Sequence, residues 1–128
     1  MSEKIMIVDD SPTVLKFVAF SLKKSGFTVV SACDGMDAIE KISNLEESVD
    51  LIITDLNMPN MDGYMFISTL RENEQYKDIP VIILSSEGAD KDKERGLEVG
   101  ASSYLVKPFN AEVLLGEVSK YLDIRVNS

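Results

Sequence analysis

The stretch VDLIITDLNMPNMDG, residues 49–63, decides how the rest of this chain is interpreted. Its apolar run from Leu51 to Ile53 has no polar alternation, which is typical of a strand covered on both faces in a parallel sheet. Asp55 follows the run, and turn-forming Asn, Pro, Asp and Gly residues come after it. A carboxylate placed directly after a buried strand needs a compensating partner, so its position favours a functional role for Asp55.

Five runs of apolar or β-branched residues, this one included, alternate with five helical segments. The predicted strands are residues 4–8, 28–31, 50–54, 80–84 and 103–106. The predicted helices lie between the Ser11 cap and Gly26, and at about 36–46, 64–73, 90–98 and 111–122. This (βα)₅ order predicts an α/β fold with a doubly wound, parallel five-stranded sheet. Ligands bind such sheets at the carboxyl ends of the strands.

The composition is that of one globular domain, with 128 residues, 45% hydrophobic and 27% charged. The net charge of −9, from 22 acidic and 13 basic residues, repels a phosphate backbone, so nucleic-acid binding is not expected. No apolar run approaches the ~20 residues of a membrane helix, and the N-terminus lacks the features of a signal peptide. We therefore expect a cytoplasmic protein without a membrane partner, folded as one domain over residues 1–128.

The chain has no histidine and a single cysteine, Cys33. Without histidine, the Ser-His-Asp and Cys-His nucleophile schemes and the usual zinc sites are excluded. Cys33 cannot form a disulfide within the chain, which fits a reducing compartment, and we expect it to be a small, partly buried residue. Any chemistry must then depend on carboxylates, hydroxyls and lysine.

Polar residues stand at the ends of four predicted strands, which should converge on one pocket. They are Asp9, Asp10, Asp55, Ser85, Ser86 and Lys107. Three carboxylates at one site repel one another unless a cation compensates, and oxygen ligands without histidine or thiolate favour Mg²⁺, with Mn²⁺ as a second possibility. A lysine and a hydroxyl across the same pocket suit a phosphoryl group, which one carboxylate could accept as an acyl phosphate.

Together these residues resemble the receiver domain of bacterial two-component response regulators. The resemblance lies in the acidic pair after the first strand, Asp55 with NMPNMDG behind it, Ser85, and KPF at 107–109. Each part is weak alone, but their order, spacing and strand-end positions agree over residues 4–122. The likeness is to stand-alone receivers of the CheY type, and it implies their flavodoxin-like, CheY-like three-layer sandwich.

The resemblance implies a role for each residue at the strand ends. Asp55 would be phosphorylated, and Lys107 would pair with the phosphoryl group. Asp10 and Asp55 would ligate Mg²⁺ through their carboxylates, and Asn57 through its backbone carbonyl. Asp9 would hold the metal through water.

The resemblance also implies a conformational switch. Ser85 occupies the family's hydroxyl position when counted from Pro80 at the strand start, and Ser86 stands where the family often has Ala or Gly. Ser85 would move toward the phosphoryl group, and Tyr104 would turn inward with it. This pair would carry the signal to the face made by the fourth helix, the fifth strand and the fifth helix, where a downstream target protein would bind.

Two further expectations concern the rim of the pocket. The resemblance implies a cis peptide bond between Lys107 and Pro108, which would direct the lysine back over the pocket. Asn57 and Glu87, two residues past Asp55 and Ser85, occupy positions that tune the loss of the acyl phosphate in this family. A polar pair there predicts a transient phosphorylated form.

The phosphoryl donor must be another molecule, because this chain has no histidine; we expect a sensor histidine kinase or a histidine phosphotransfer protein. The apolar residues of the first predicted helix cover a wider face than the roughly 100° stripe of a surface helix, which fits either a wide core contact or a docking patch. In the second case Val14 and Phe17 are the candidate contacts with the phosphodonor protein. Six residues follow the fifth predicted helix, so output is expected through a separate protein unless the chain is a fragment of a longer regulator. A chemotaxis-type messenger and a phosphorelay carrier both fit.

Two other classes of function match the pattern less well. A Mg²⁺-dependent aspartyl-phosphate phosphohydrolase also uses a strand-end aspartate, but it typically has a second acid where this chain has Asn57. A binding module without phosphorylation would not need the full set of Asp10, Asp55 and Lys107. We therefore interpret the chain as a signalling protein and not an enzyme, since it would catalyse only its own phosphotransfer and dephosphorylation.

Overall fold

A computed structural model of the chain describes residues 3–86 and 88–122. Its strands are β1 Lys4–Val8, β2 Thr28–Ala32, β3 Leu51–Asp55, β4 Val81–Ser86 and β5 Ser103–Lys107. Its helices are α1 Pro12–Lys24, α2 Gly35–Asn44, α3 Gly63–Glu72, α4 Asp90–Glu98 and α5 Ala111–Val118. The strict alternation of strand and helix is the predicted (βα)₅ order.

The five strands form one parallel sheet in the order β2-β1-β3-β4-β5. The winding therefore reverses between β1 and β3, and all strand ends of the same kind lie along one edge. The register pairs Val8 with Thr54 and Asp55 with Leu84, which brings the carboxyl ends of β1, β3 and β4 level with one another. β5 continues this edge, since Ser86 pairs with Lys107.

Alternate side chains of the central strands enter two separate cores, one on each face of the sheet. One core lies under α1 and α5 and contains Ile5, Ile7, Val18, Leu22, Leu51, Ile53, Ile82, Leu84, Leu114 and Val118. The other lies under α2 and α3 and contains Met6, Val8, Ala38, Ile42, Ile52, Phe66, Ile67, Leu70 and Ile83. Burial on both faces explains why these strands lack polar alternation, and the result is the predicted three-layer sandwich.

The predicted element boundaries hold to within two residues, with one exception. β3 and β4 each extend further than predicted, so Asp55 and Ser85 are strand residues and do not follow the strands. The predicted fifth helix, 111–122, is too long, because α5 ends at Val118. Beyond it the chain makes tighter turns, in which the Tyr121 amide donates to the Val118 carbonyl, three residues back, at 3.0 Å.

Part of the apolar surface of α1 packs into the core, as one interpretation of the first helix expects, and part of it is exposed. Val18 and Leu22 are fully buried in the core, whereas Phe17 and Phe20 are 39% and 68% exposed. The Phe17 ring contacts Phe109 in the loop after β5, with 6.1 Å between the ring centroids. In the part of the chain that the structure describes, none of the helices is long and apolar enough to cross a membrane.

The expectation for Cys33 is wrong. Its side chain is exposed, because Cys33 lies just beyond β2 in the turn that leads into α2. Its backbone amide donates to the Asp37 carboxylate at 3.0 Å. Partial desolvation by neighbouring atoms and the nearby Asp37 carboxylate raise the pKa of the Cys33 thiol, which makes it less reactive as a nucleophile.

Candidate functional site: an acidic pocket at the strand ends

Four strands each deliver one functional side chain to the same edge of the sheet. Asp9 directly follows β1, Asp55 and Lys107 are the last residues of β3 and β5, and Ser85 is the last but one of β4. β1, β3, β4 and β5 are consecutive neighbours in the sheet, so these side chains converge. The predicted pocket is thus a direct consequence of strand order.

Lys107 joins the two buried aspartates of the pocket. Its ammonium nitrogen lies 3.2 Å from Oδ2 of Asp9 and 3.6 Å from Oδ2 of Asp55. Asp9 is fully buried, and its second oxygen, Oδ1, accepts a hydrogen bond from the Ser11 amide at 2.9 Å. Both oxygens of Asp9 are therefore occupied by donors, which offsets the cost of burying this side chain.

The pocket carries more negative than positive charge. Carboxylate oxygens of Asp9, Asp10 and Asp55 all lie within 4.8 Å of one another, and among the described residues Lys107 is the cation in contact with Asp9 and Asp55. Burial and the charge of Asp9 raise the pKa of Asp55, while Lys107 and the Leu56 amide oppose that rise. Three hard oxygen donors with an uncompensated charge fit a divalent cation of the Mg²⁺ or Mn²⁺ type.

The backbone fixes the orientation of Asp55. Its Oδ1 accepts a hydrogen bond from the Leu56 amide at 2.8 Å, which leaves Oδ2 facing Lys107. Its carbonyl accepts from the Thr54 hydroxyl at 2.9 Å, and the Gly63 amide donates to the Leu56 carbonyl at 2.9 Å. A Cβ atom at Gly63 would collide with the Asp55 carbonyl oxygen, so only glycine lets α3 begin this close to the site.

Ser85 and Tyr104 are separated from each other in this structure. Ser85 is buried, and its hydroxyl donates to the Leu105 carbonyl at 3.4 Å. Tyr104 points outward with 40% of its surface exposed, and the Lys93 ammonium lies 4.7 Å from its ring centroid. Ser86, the alternative hydroxyl, is exposed at the end of β4.

The other expectations concern two residues near the pocket and one peptide bond. Asn57 is exposed on the loop after β3, and Glu87 lies outside the described residues. The peptide bond between Lys107 and Pro108 is cis, which confirms the expectation from the sequence.

Sequence reasoning missed the backbone donors of the site and one side chain. Ser11 was predicted as a helix cap, and its hydroxyl does accept from the Val14 amide, but its own amide also holds Asp9. The Leu56 amide and Lys93 were not identified either. A backbone amide leaves no trace in residue identity, and the contact of Lys93 depends on how α4 packs beside β5.

The fold and the pocket together define a class: a doubly wound, flavodoxin-like α/β protein with an acidic pocket, fit for a cation, at the carboxyl ends of its strands. The response regulator receiver domain matches residues 5–119 of this chain, and the chain belongs to that family.

Relatives of known sequence or structure agree with this assignment. Protein PilG of Pseudomonas aeruginosa PAO1 is 40% identical over 119 residues, which are 93% of this chain and 87% of PilG. The structure of the chemotaxis response regulator CheY4 of Vibrio cholerae is similar at a TM-score of 0.88 and 38% identity, over 95% of this chain and 100% of CheY4. The receiver domain of sensor histidine kinase PA1611 of P. aeruginosa PAO1, solved with a magnesium ion coordinated in its active site cleft, has a TM-score of 0.85 and 26% identity, over 94% of this chain and 98% of that domain.

The family membership defines the kind of activity. This chain is a CheY-like receiver with a phosphoacceptor role in two-component signalling. Receiver domains bind Mg²⁺ at the acidic site, and the cluster of Asp9, Asp10 and Asp55 fits such an ion. Receiver domains work with sensor histidine kinases and other signalling proteins.

Proposed function

We propose that Asp55 accepts a phosphoryl group from the phosphohistidine of a sensor histidine kinase or a histidine phosphotransfer protein. The observation that carries this proposal is the arrangement of the Asp55 carboxylate. One oxygen is held by the Leu56 amide, and the other lies 3.6 Å from the Lys107 ammonium. An ionised carboxylate held in one orientation beside a cation is prepared to attack a phosphorus atom.

The transfer forms one bond and breaks one. An oxygen of Asp55 bonds to phosphorus as the bond from phosphorus to the donor's imidazole nitrogen breaks, and the electron pair stays on the imidazole. The Lys107 ammonium shifts from Asp9 and Asp55 to pair with the phosphoryl oxygens. It can do so because a single ammonium group on a flexible side chain makes both contacts. The product is an acyl phosphate on Asp55.

The metal site uses the same residues. Asp10 and Asp55 would hold Mg²⁺, or Mn²⁺, by their carboxylates, Asn57 by its backbone carbonyl, and Asp9 through water. A bound ion would supply positive charge to neutralise the phosphoryl oxygens. Asp10 is the exposed member of the cluster and therefore the carboxylate most open to an incoming ion.

The response to phosphorylation begins at Ser85 and ends at the surface of β5. The Ser85 hydroxyl exchanges its 3.4 Å bond to the Leu105 carbonyl for a bond to a phosphoryl oxygen, which is a stronger acceptor because it is charged. Tyr104 then turns inward and leaves the Lys93 ammonium that lies over its ring. The face made by α4, β5 and α5 changes shape as a result, and the downstream target protein reads that change.

Two other surfaces complete the proposal. The exposed Phe17 on α1, close to the pocket through its contact with Phe109, offers an apolar surface for the phosphodonor, with Val14 beside it on the same helix.

Asn57 on the rim, together with Glu87, positions the water that hydrolyses the acyl phosphate and keeps the phosphorylated form transient.

Intact-mass spectrometry after incubation with Mg²⁺ and acetyl phosphate tests the acceptor. We expect one phosphoryl adduct on the wild type, none without Mg²⁺, and none on Asp55→Asn. The matched control is Asp62→Asn, which changes another carboxylate of the same loop but keeps its capping bond to the Met65 amide, since asparagine caps equally well.

Treatment with hydroxylamine identifies the type of phosphorylated residue, because it cleaves an acyl phosphate and leaves a serine phosphate intact. A hydroxylamine-resistant adduct would assign the phosphoryl group to a hydroxyl, and an adduct that survives in Asp55→Asn would assign it to another carboxylate. Either result would contradict the proposal.

A further inference from the structure

The loop after β3 is tied to the neighbouring loop after β2 by a buried carboxylate. Asp34 is 6% exposed and uses both of its oxygens. Oδ1 accepts from the Asp37 amide at 2.8 Å and so caps α2, while Oδ2 accepts from the Asn60 side-chain amide at 2.8 Å. The bond to Asn60 joins residues that are 26 positions apart in the chain.

The backbone reinforces this contact. The Gly35 amide donates to the Met61 carbonyl at 3.1 Å, and a Cβ atom at Gly35 would lie 2.7 Å from Cγ of Met61, so the two loops touch only because residue 35 is glycine. Asn60 has a φ of 66°, in the left-handed region that asparagine tolerates better than most residues. We call the Asp34–Asn60 bond and the Gly35–Met61 bond together the loop clamp.

The loop clamp is the second of two anchors on this loop. The first is at its start, where the Leu56 amide holds Asp55 and the Leu56 carbonyl accepts from Gly63. Between the anchors lie residues 57–59, in which Asn57 and Pro59 are exposed and Met58 packs partly against the core. The direction of the Asn57 carbonyl is therefore set by how firmly both anchors hold.

We propose that Asp34 and Asn60 are positioning residues for cation binding: they hold the loop after β3 so that its backbone carbonyl at Asn57 faces the acidic pocket. The proposal rests on the function proposed above. Neither side chain is among the clustered pocket carboxylates Asp9, Asp10 and Asp55, so each acts through the backbone between them. Partners that orient a metal ligand are worth about 10-fold or more in metal affinity, although they contact no metal themselves.

Asp34 is suited to this role by its charge. The Asp37 amide, and then the Asn60 amide, lower the pKa of Asp34, so it is ionised at neutral pH and remains an acceptor for both. A charged acceptor binds an amide more strongly than a neutral one. The Asp34 end of this bond is buried, whereas Asn60 lies at the exposed surface of the loop.

Isothermal titration with Mg²⁺ alone, on the unphosphorylated protein, measures the effect directly. Asn60→Gly keeps the φ of 66° accessible and the net charge unchanged but removes the bond to Asp34. We expect its Kd for Mg²⁺ to rise about 10-fold. The exchange variant Asp34→Asn/Asn60→Asp reverses donor and acceptor, keeps both the cap and the net charge, and should restore Kd to within about twofold of the wild type.

Ser103→Ala is the matched control. It also removes a bond between two side chains, from the Ser103 hydroxyl to Glu117 at 2.9 Å, but at the opposite edge of the sheet. Its Mg²⁺ affinity should be unchanged, and thermal unfolding of all variants shows that each is folded at the temperature of titration.

Two results would overturn the inference: an Asn60→Gly variant with the affinity of the wild type, or an exchange variant no better than Asn60→Gly. The outcome is separable from the proposed function. A wild type that binds Mg²⁺ but takes up no phosphoryl group on Asp55 contradicts the function alone, whereas a wild type that does not bind Mg²⁺ overturns both.

Discussion

The two edges of the sheet both place charge inside the protein, but they balance it differently. At the amino edge, the Arg71 guanidinium donates to the carbonyls of Gly100, Lys77 and Ile79 at 2.9, 2.9 and 2.8 Å. These carbonyls belong to the loops that lead into β4 and β5. At the carboxyl edge, Asp9 and Asp55 of the acidic pocket share Lys107, and Asp10 adds a third carboxylate beside them.

This difference separates a structural site from a functional one. Arg71 donates to backbone carbonyls of two loops, so its contacts contribute to folding. The carboxylates have the opposite property, because the pocket is left with negative charge that a cation relieves. Groups with perturbed ionisation at a cleft are where function is expected, and the raised pKa of Asp55 is an example.

The largest effect on stability should come from Gly63→Ala. This substitution tests whether the carboxyl edge, like the amino edge, also has contacts on which the fold depends. The new Cβ meets backbone atoms of Asp55 and Leu56, including Cα of Leu56 at 2.9 Å, and no side-chain rotation can relieve that. We expect a loss of about 3 kcal/mol in the free energy of unfolding, together with weaker phosphoryl uptake, measured by urea denaturation and intact mass.

Gly116→Ala is its control. A Cβ at Gly116 has nothing within 4 Å, so alanine there should stabilise α5 by about 0.5–1 kcal/mol. If the two alanine variants were equally stable, the close approach of α3 to Asp55 would not be a constraint on the fold.

Arg71→Met should give the next largest effect, and only on stability. Methionine keeps most of the apolar stem but leaves carbonyls of two loops without their donor, at a loss of about 2–3 kcal/mol. Arg95→Met is the comparison, since the Arg95 guanidinium lies over the Tyr64 ring at 4.0 Å and is worth about 0.5–1 kcal/mol there. A change of Mg²⁺ affinity in folded Arg71→Met would mean that the two edges are coupled.

Mg²⁺ should stabilise the wild type by mass action, since the ion binds the assembled pocket and not the unfolded chain. At 100 times its Kd, a ligand of this kind contributes about 2.7 kcal/mol, which appears as a rise in melting temperature. Asp10→Asn should lose most of that rise. Because Asp10 is exposed, the substitution itself should change stability little without the ion. An equal rise in Asp10→Asn would remove Asp10 from the metal site.

The parts of this picture that the sequence predicts are those determined by strand position. Asp9, Asp55 and Lys107 could be assigned to one pocket because parallel strands end at a common edge, whatever the side-chain details. The bond from the Asn60 side-chain amide to Asp34 and the carbonyls bound by Arg71 could not be predicted. Both depend on how distant loops meet, and the residues involved have turn-forming or surface character that fits many other environments.

The smallest predicted effect is a pH dependence that isolates the repulsion at Asp55. Burial and Asp9 raise the pKa of Asp55 above its ordinary value of 3.8, so the folded state holds this proton more tightly than the unfolded state does. The resulting stability is fully present below the ordinary value and is lost as pH rises through the raised one. Asp34 and Asp37, whose pKa values are lowered, act in the opposite direction, but equally in wild type and Asp55→Asn.

Urea titrations with EDTA test this dependence. The free energy of unfolding of Asp55→Asn should exceed that of the wild type by an amount that grows from about pH 4 upward and then levels off. Excess Mg²⁺ at neutral pH should shrink it, since the ion favours ionised Asp55, and an advantage constant over the whole range would show that repulsion is not its cause.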